Sequence, residues 1–334
     1  MSKVDCWMRG LIRSPTKSLK KWDGPLRCGD SQKMKPMKFF LFSSTLAWST
    51  ITFADTITVC KSGCDHNSIQ AAMDAAAEQG DVIEIAAGVW MENLYTNKQM
   101  ILRGAGPGLT IIDGSEPRFD SEPCLLVSED FDGWETQDRF RIESLTLRGG
   151  SGAEIFGLVR GGGVYIEFVP VTLSNVVIED CAIERLGEFT VEGLGGAICN
   201  FYGDVSVESS VLRNNSAFTL GGAIFTEGPL QILNTVIEGN IGEVEGGAIF
   251  SNDSPVSIEQ STICGNSIRQ IIGSFVDNGG NTITEECSSH CPGDYNSDGN
   301  VDLEDLLQVV SNWKRPHTLE DLLLVLSQWG ATCM

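Results

Sequence analysis

Between Asp81 and Glu286 hydrophobic and polar residues alternate in short runs, as in Val205-Ser206-Val207, Leu230-Gln231-Ile232 and Val256-Ser257-Ile258. Nowhere in that span do apolar residues recur at a sustained helical spacing, so the pattern predicts short strands with one face buried. The runs return in step. Gly-Gly-Ala-Ile occurs at Gly195 to Ile198, Gly221 to Ile224 and Gly246 to Ile249, with Gly162-Gly163-Val164-Tyr165 as an earlier variant. Leu212-x-x-Asn215, Ile237-x-x-Asn240 and Ile263-x-x-Asn266 keep the same phase, preceded by Ile178-x-x-Cys181. Two motifs locked at a period of about 25 residues mean one solenoid coil per repeat.

One period reads as a Gly-Gly turn, a strand at Ala197-Ile198-Cys199, a turn over Asn200 to Asp204, a strand at Val205 to Val207 and another at Ser210 to Leu212. Three short strands per coil predict an all-β fold, a right-handed parallel β-helix whose coils bond to one another at roughly 4.8 Å. Asn215, Asn240 and Asn266 then stack at one turn. Their amides would satisfy buried backbone groups along the axis, a scaffold role.

Towards the N-terminus, Asn67-Ser68-Ile69-Gln70 predicts a capped helix. Its apolar stripe is Ile69, Ala72, Met73 and Ala76, and Gly80 is the expected stop. A helix there covers the open end of the solenoid, where the first coil has no neighbour. Asp81 to Ile85 then reads as the first strand, Gly88 to Asn93 as a turn, and Leu102 to Gly104 and Thr110 to Gly114 as later strands. On Ser68 to Ala72, Gly80-Asp81, Gly88 and Glu92-Asn93, residues 57 to 114 resemble the opening of pectin-lyase-like β-helix proteins. The Gly-Gly-Ala-Ile and Ile-x-x-Asn pairs resemble the repeats of polymorphic outer-membrane proteins. The resemblance implies a fold and no chemistry, because this scaffold carries lyases, esterases, glycosidases, adhesins and proteins without known activity.

A different pattern closes the chain. In the segment from Asp294 to Asp305, oxygen-bearing side chains stand at loop positions 1, 3, 5, 9 and 12 (Asp294, Asn296, Asp298, Asp302 and Asp305). Gly299 stands at position 6 and the Asn300 carbonyl at 7, the spacing that wraps Ca2+. An apolar helix from Leu306 to Trp313 is expected to follow, and Leu303 to Trp313 is repeated as Leu319 to Trp329. Residues 291 to 333 thus resemble a dockerin type I module, which implies a cohesin partner and two calcium loops. Here Arg315-Pro316-His317-Thr318 stands in place of the second loop, so one calcium is expected. Cys291 and Cys333 flank the module and can pin its ends together.

The formal charge is −22 over 334 residues, yet residues 1 to 54 hold ten Lys and Arg against three Asp and Glu, leaving −29 on the rest (−22 minus +7). Nucleic acid and anionic lipid are therefore poor partners. Phe39 to Ile51 is an apolar stretch behind Lys35 and Lys38, ending in Thr52-Phe53-Ala54, which reads as a secretory signal too short to span a bilayer. A start at Met34 or Met37 would make it an ordinary signal, and maturation is expected at Asp55. Nine of the eleven cysteines follow Ala54. Cys60 and Cys64 are close enough to pair, while Cys181, Cys199 and Cys264 read as small core residues. The expected domains are a leader over 1–54, the β-helix over 55–286 and the calcium-binding module over 287–334, in a protein secreted or held at the cell surface.

No catalytic residue is identified. His66, His290 and His317 all lie outside the repeats, which counts against a hydrolase. Asp180 with Glu179 and Arg213, or Asp204, can stack into a carboxylate site, although solvated turn residues are the simpler reading. Phe119 to Phe140 interrupts the coil pattern with Asp120, Glu122, Glu129, Asp130, Asp132, Trp134 and Glu135. Such a segment suits a sugar-binding loop, a second cation site or a plain surface insertion. Two functions stay open: a binding or adhesion scaffold attached through its tail, and a polysaccharide lyase or hydrolase tethered by it.

Overall fold

The computed structural model describes residues 54–77, 79–117, 121–128, 139–185, 192–287, 301–311 and 319–330. Successive coils run parallel and in register. One coil comprises Ile224–Thr226, Leu230–Leu233 and Val236–Glu238, and its three strands pair with Ile249–Ser251, Val256–Glu259 and Thr262–Cys264 of the next. The first of these faces is a seven-stranded sheet running from Leu94–Thr96 to Ile271–Ile272. The second and third faces belong to one larger sheet, entered by the long strands Phe140–Arg148 and Val171–Glu179, which bend from one face into the other. This is a parallel β-helix. Because every pairing keeps the period of two, Ile198, Ile224 and Ile249 line the core as one column, Val207, Ile232 and Ile258 as a second, and Leu212, Ile237 and Ile263 as a third, all buried.

The register corrects one motif. Val164, not Tyr165, pairs with Ile198, so the early equivalent of Gly195-Gly196-Ala197-Ile198 is Gly161-Gly162-Gly163-Val164. The inward column needs the smaller β-branched residue, and Tyr165 points outward. Gly161, Gly195, Gly221 and Gly246 all adopt left-handed φ between 61° and 69°. The second glycine serves another end: a Cβ on Gly222 would strike the carbonyl of Gly247 in the next coil.

The asparagine ladder is present. Asn266 Oδ1 accepts the Asn240 N–H at 2.9 Å, Asn240 Oδ1 accepts the Asn215 N–H at 2.9 Å, and Asn215 Oδ1 accepts the Cys181 N–H at 3.1 Å. Each Nδ2 donates to a strand carbonyl, those of Ile178, Leu212 and Ile237. A second ladder, absent from the sequence reading, occupies the bend between faces two and three. There the Val176, Ser210, Thr235 and Ser261 amides donate to Ser210, Thr235, Ser261 and Asn281 side chains respectively.

At the N-terminal end a strand precedes the helix, which corrects the reading of Asp81 to Ile85 as first: Thr56–Val59 pairs in parallel with Gln79–Ile85. The helix α1, Ile69–Ala75, buries Ile69, Ala72 and Met73 and stops at its cap Ala76 rather than at Gly80. Ser68 caps it, but the acidic partner comes from the next coil. Glu92 accepts the Ile69 and Gln70 N–H groups and the Ser68 hydroxyl, each at 2.9 Å. Cys60 bonds to Cys64, as its spacing predicts. Cys264 is not a lone core thiol; it bonds to Cys287 and ties the exit of the β-helix to the preceding coil. Cys181 and Cys199 are buried thiols, and a hydrogen bond with Cys124 together with burial holds Cys181 well above the ordinary thiol range.

In the tail, α2 spans Leu303–Ser311 and α3 spans Leu319–Ser327. The first begins ahead of Leu306, the expected start, because Asp302 caps it. Val301, Val309 and Val325 form the module's buried core. Cys291, Cys333 and the Arg315 to Thr318 segment lie outside the described residues, as does the leader. Among the described residues no helix is long and apolar enough to cross a membrane.

Candidate functional site

The outer row of the third face is a column of alternating charge, with Asp113, Arg148, Glu179, Arg213 and Glu238 on consecutive strands. Arg148 Nε meets Asp113 at 2.7 Å and Arg213 meets Glu179 at 2.6 Å. Burial raises the Asp113 carboxyl, but hydrogen bonds from Ser115 and the Arg148 guanidinium outweigh it and hold the group below the usual carboxylate range. Asp180 stands exposed in a left-handed turn, φ 54°, and Asp204 pairs with Arg139 at 2.9 Å on the second face. The stacked acids and arginine anticipated as a catalytic site are thus separate ion pairs.

The first face carries a different outer row: Tyr95, Leu126, Tyr165, Cys199, Phe225 and Phe250 stack coil upon coil. A hairpin covers most of it. Its strands Ala153–Ile155 and Leu158–Arg160 pair antiparallel around Phe156-Gly157, both at positive φ, and Glu192–Leu194 adds a third strand. Beneath this flap Tyr165 and Cys199 are fully buried, and burial pushes both their ionisations up, so neither supplies an anion at neutral pH. Arg160 lies 4.6 Å from the Phe201 ring centroid and donates to the Tyr165 hydroxyl at 3.1 Å.

Towards the N-terminal coils the cover stops short and leaves a cavity of about 350 Å³. Tyr95 and Leu126 form its floor, Ser121, Glu122 and Pro123 one wall, and the hairpin strand with Glu154 the other. Its groups are held from behind. The Glu122 N–H donates to Ser151 Oγ at 3.1 Å and the Ser151 N–H donates back to the Glu122 carbonyl at 2.9 Å, which locks the wall to the hairpin's root. Asn93 Nδ2 donates to the carbonyls of Gly114 and Pro123, and the Tyr95 N–H donates to Gln70 Oε1. The Ser121 hydroxyl, on a residue only 7 % exposed, has no hydrogen-bond partner among the described residues. Glu122 is 9 % exposed, whereas Tyr95 keeps 44 % of its surface open.

Two other cavities, of about 480 and 390 Å³, lie over the second face. Their arginines are engaged: Arg139 with Asp204, Arg141 with Glu143 at 3.1 Å, and Arg103 with Glu143 at 2.9 Å. Of these three cavities, the first-face one has in its lining a buried hydroxyl with no partner among the described residues and a tyrosine open to solvent. Sequence reasoning reached Glu122 through the interrupting segment and missed Ser121, Tyr95 and Glu154. The signal available was weak: Tyr95 and Glu154 are outward positions of three-residue strands, and only the register shows which outward positions meet.

Of the proposed calcium ligands, Asp294, Asn296, Asp298 and Asn300 lie outside the described residues, as do Asp120, Glu129, Asp130, Asp132, Trp134 and Glu135. Asp302 and Asp305 are described and adjacent. Asp302 Oδ1 accepts the Glu304 N–H at 2.8 Å, and the fully buried Asp305 accepts the Asp302 N–H at 2.9 Å. Together the two bonds cap the first turn of α2. A carboxylate oxygen can accept a backbone bond and still face a cation, so this arrangement fits the end of an all-oxygen calcium loop.

No protein-family model matches the chain, and no protein of curated function matches it in sequence. Among solved structures it is similar to a pectin methyl esterase of the rice weevil, with a TM-score of 0.32 and 11 % identity over 68 % of this chain and 81 % of that one.

Proposed function

We propose that this chain is an exported carbohydrate-binding scaffold, a β-helix that offers one pocket for a glycan and is held outside the cell through a calcium-dependent tail. The observation that carries the reading is the first-face cavity. An aromatic ring open to solvent and a buried hydroxyl without a partner among the described residues stand on a stack of coils, and the cavity's volume falls at the small end of ligand sites, about 300–1,000 Å³. Sugar rings present the matching surface, one apolar face and a rim of hydroxyls. A binding role is favoured over a lyase or hydrolase because the stacked Asp and Arg of the third face are closed ion pairs, and because the described lining of the cavity holds no Lys, Arg or His. In the tail, Asp294, Asn296, Asp298, Asp302, Asp305 and the Asn300 carbonyl would hold one Ca2+, and the partner would be a cohesin-like or other cell-surface protein.

Retention of the full chain on insoluble polysaccharides, with calcium present, tests the binding role. The wild type should be retained on at least one neutral or amino-sugar matrix, and Tyr95→Ala should weaken retention about tenfold. Flow-through of the wild type on every matrix, or equal retention of Tyr95→Ala, contradicts it. So does release of soluble products from the matrix.

A further inference from the structure

We infer that Glu238, Cys264 and Cys287 form a redox-gated metal site, which takes one Zn2+ once the bridge between the two cysteines is reduced. Its place is the C-terminal end of the β-helix, apart from the first-face cavity. Glu238 and Cys264 are register partners on adjacent strands of the third face. Both stand on its outer row, because Ile237 and Ile263 beside them fill the core. In-register neighbours of parallel strands lie about 4.8 Å apart, so the two side chains leave the sheet side by side. Cys287 arrives from the exit of the last coil and covers Cys264, which is buried, while Cys287 itself stays exposed. One Glu238 carboxylate oxygen and the two sulfurs all lie within 4.8 Å of one another. Gly265 leaves room for this approach: a Cβ there would stand 3.0 Å from Cys287 Sγ. Arg213, the other neighbour of Glu238 in the charged column, is committed to Glu179 through Nε at 2.9 Å and Nη2 at 2.6 Å.

The bridge opens by thiol–disulfide exchange. The thiolate of a low-molecular-weight thiol attacks the exposed Cys287 sulfur, Cys264 leaves as thiolate, and a second small thiol resolves the mixed disulfide. One protein disulfide and two small thiols thus give two protein thiols and one small disulfide. Metal binding then displaces the two thiol protons to solvent. Two thiolates and a carboxylate suit Zn2+, which takes Cys sulfur at about 2.3 Å and carboxylate oxygen at about 2.0–2.2 Å in a tetrahedron. Such bonds place neighbouring ligand atoms about 3.3–3.8 Å apart, inside the 4.8 Å that already encloses the three. The fourth position is left to water. Calcium does not fit, because it needs six to eight oxygens. The exit of the β-helix is thereby closed by a covalent bond when oxidised and by a metal when reduced.

The test is zinc titration of the full chain at saturating calcium, in competition with a chromophoric chelator, before and after reduction by excess small thiol that is removed without air. The reduced wild type should bind one Zn2+ more than reduced Cys264→Ser with Cys287→Ser, and the two unreduced proteins should bind alike. Glu238→Gln, which keeps the disulfide and decides the matter where the serine variant fails to fold, should weaken the extra Zn2+ about tenfold after reduction. Equal zinc binding by the reduced wild type and the reduced serine variant would overturn the site. Unchanged zinc affinity in reduced Glu238→Gln would overturn it too, and extra zinc on the unreduced wild type would overturn the gating.

Discussion

The interior of each coil is held by single residues repeated at one position. Asn240 shows what such a residue does: its side chain serves the backbone of its own turn, the strand before it and the coil beneath, through Leu212, Glu238 and the Asn215 amide. Asn240→Leu therefore leaves several buried groups unpaired and should lower unfolding stability by about 1–3 kcal/mol, read from denaturant melts. A variant as stable as the wild type would contradict the ladder. The ladder was legible in the sequence because asparagine is rare inside an apolar pattern and recurred in phase with Gly-Gly-Ala-Ile. Its hydroxyl counterpart at Ser210, Thr235 and Ser261 was not, because Ser and Thr are common on strands and their period is lost among outward-facing residues.

Asp113 gives the residue scale a pH signature. Its carboxyl is held below the ordinary range in the fold, so the folded state favours the charged form. Its contribution is present in full above the unfolded value of about 3.9 and is lost as pH falls through the lower folded value. Acid melts of Asp113→Asn should lie closer to the wild type at the acid end of that window than at neutral pH. A constant difference between the two proteins at all pH values would contradict the shift.

At the scale of elements, hydrophobic periodicity named α1 and most strands, and it failed where the cause lies in another coil. The acidic partner of the α1 cap is Glu92, more than twenty residues beyond Ser68, and no local box contains it. Cys264 looked like a core residue because its neighbours Ile263 and Asn266 face inward, yet it meets Cys287 on the chain's way out. The tail rests on the loop spacing and on the Asp302–Asp305 cap of α2. Calcium titration of the full chain should show one high-affinity site, and Asp294→Ala with Asp298→Ala should abolish it. Two sites would mean that the residues before α3 form a second loop, and none would remove the tether from the proposal.

For the molecule as a whole, the period alone specifies a stacked architecture, because a repeated pattern can bury its apolar face only by stacking. The site was not legible in that way. Its lining comes from three stretches around Tyr95, Glu122 and Glu154 that belong to different coils, and a polar residue on an outer face carries no mark of its neighbours. The functional account stands on that meeting. Hydrogen exchange of the full chain with and without saturating soluble fragments of a polysaccharide that retains it tests it most directly. The account predicts added protection confined to the amides of residues 93–96, 121–126 and 152–155. Unchanged exchange in those segments, or protection centred on the charged column from Asp113 to Glu238, would contradict it.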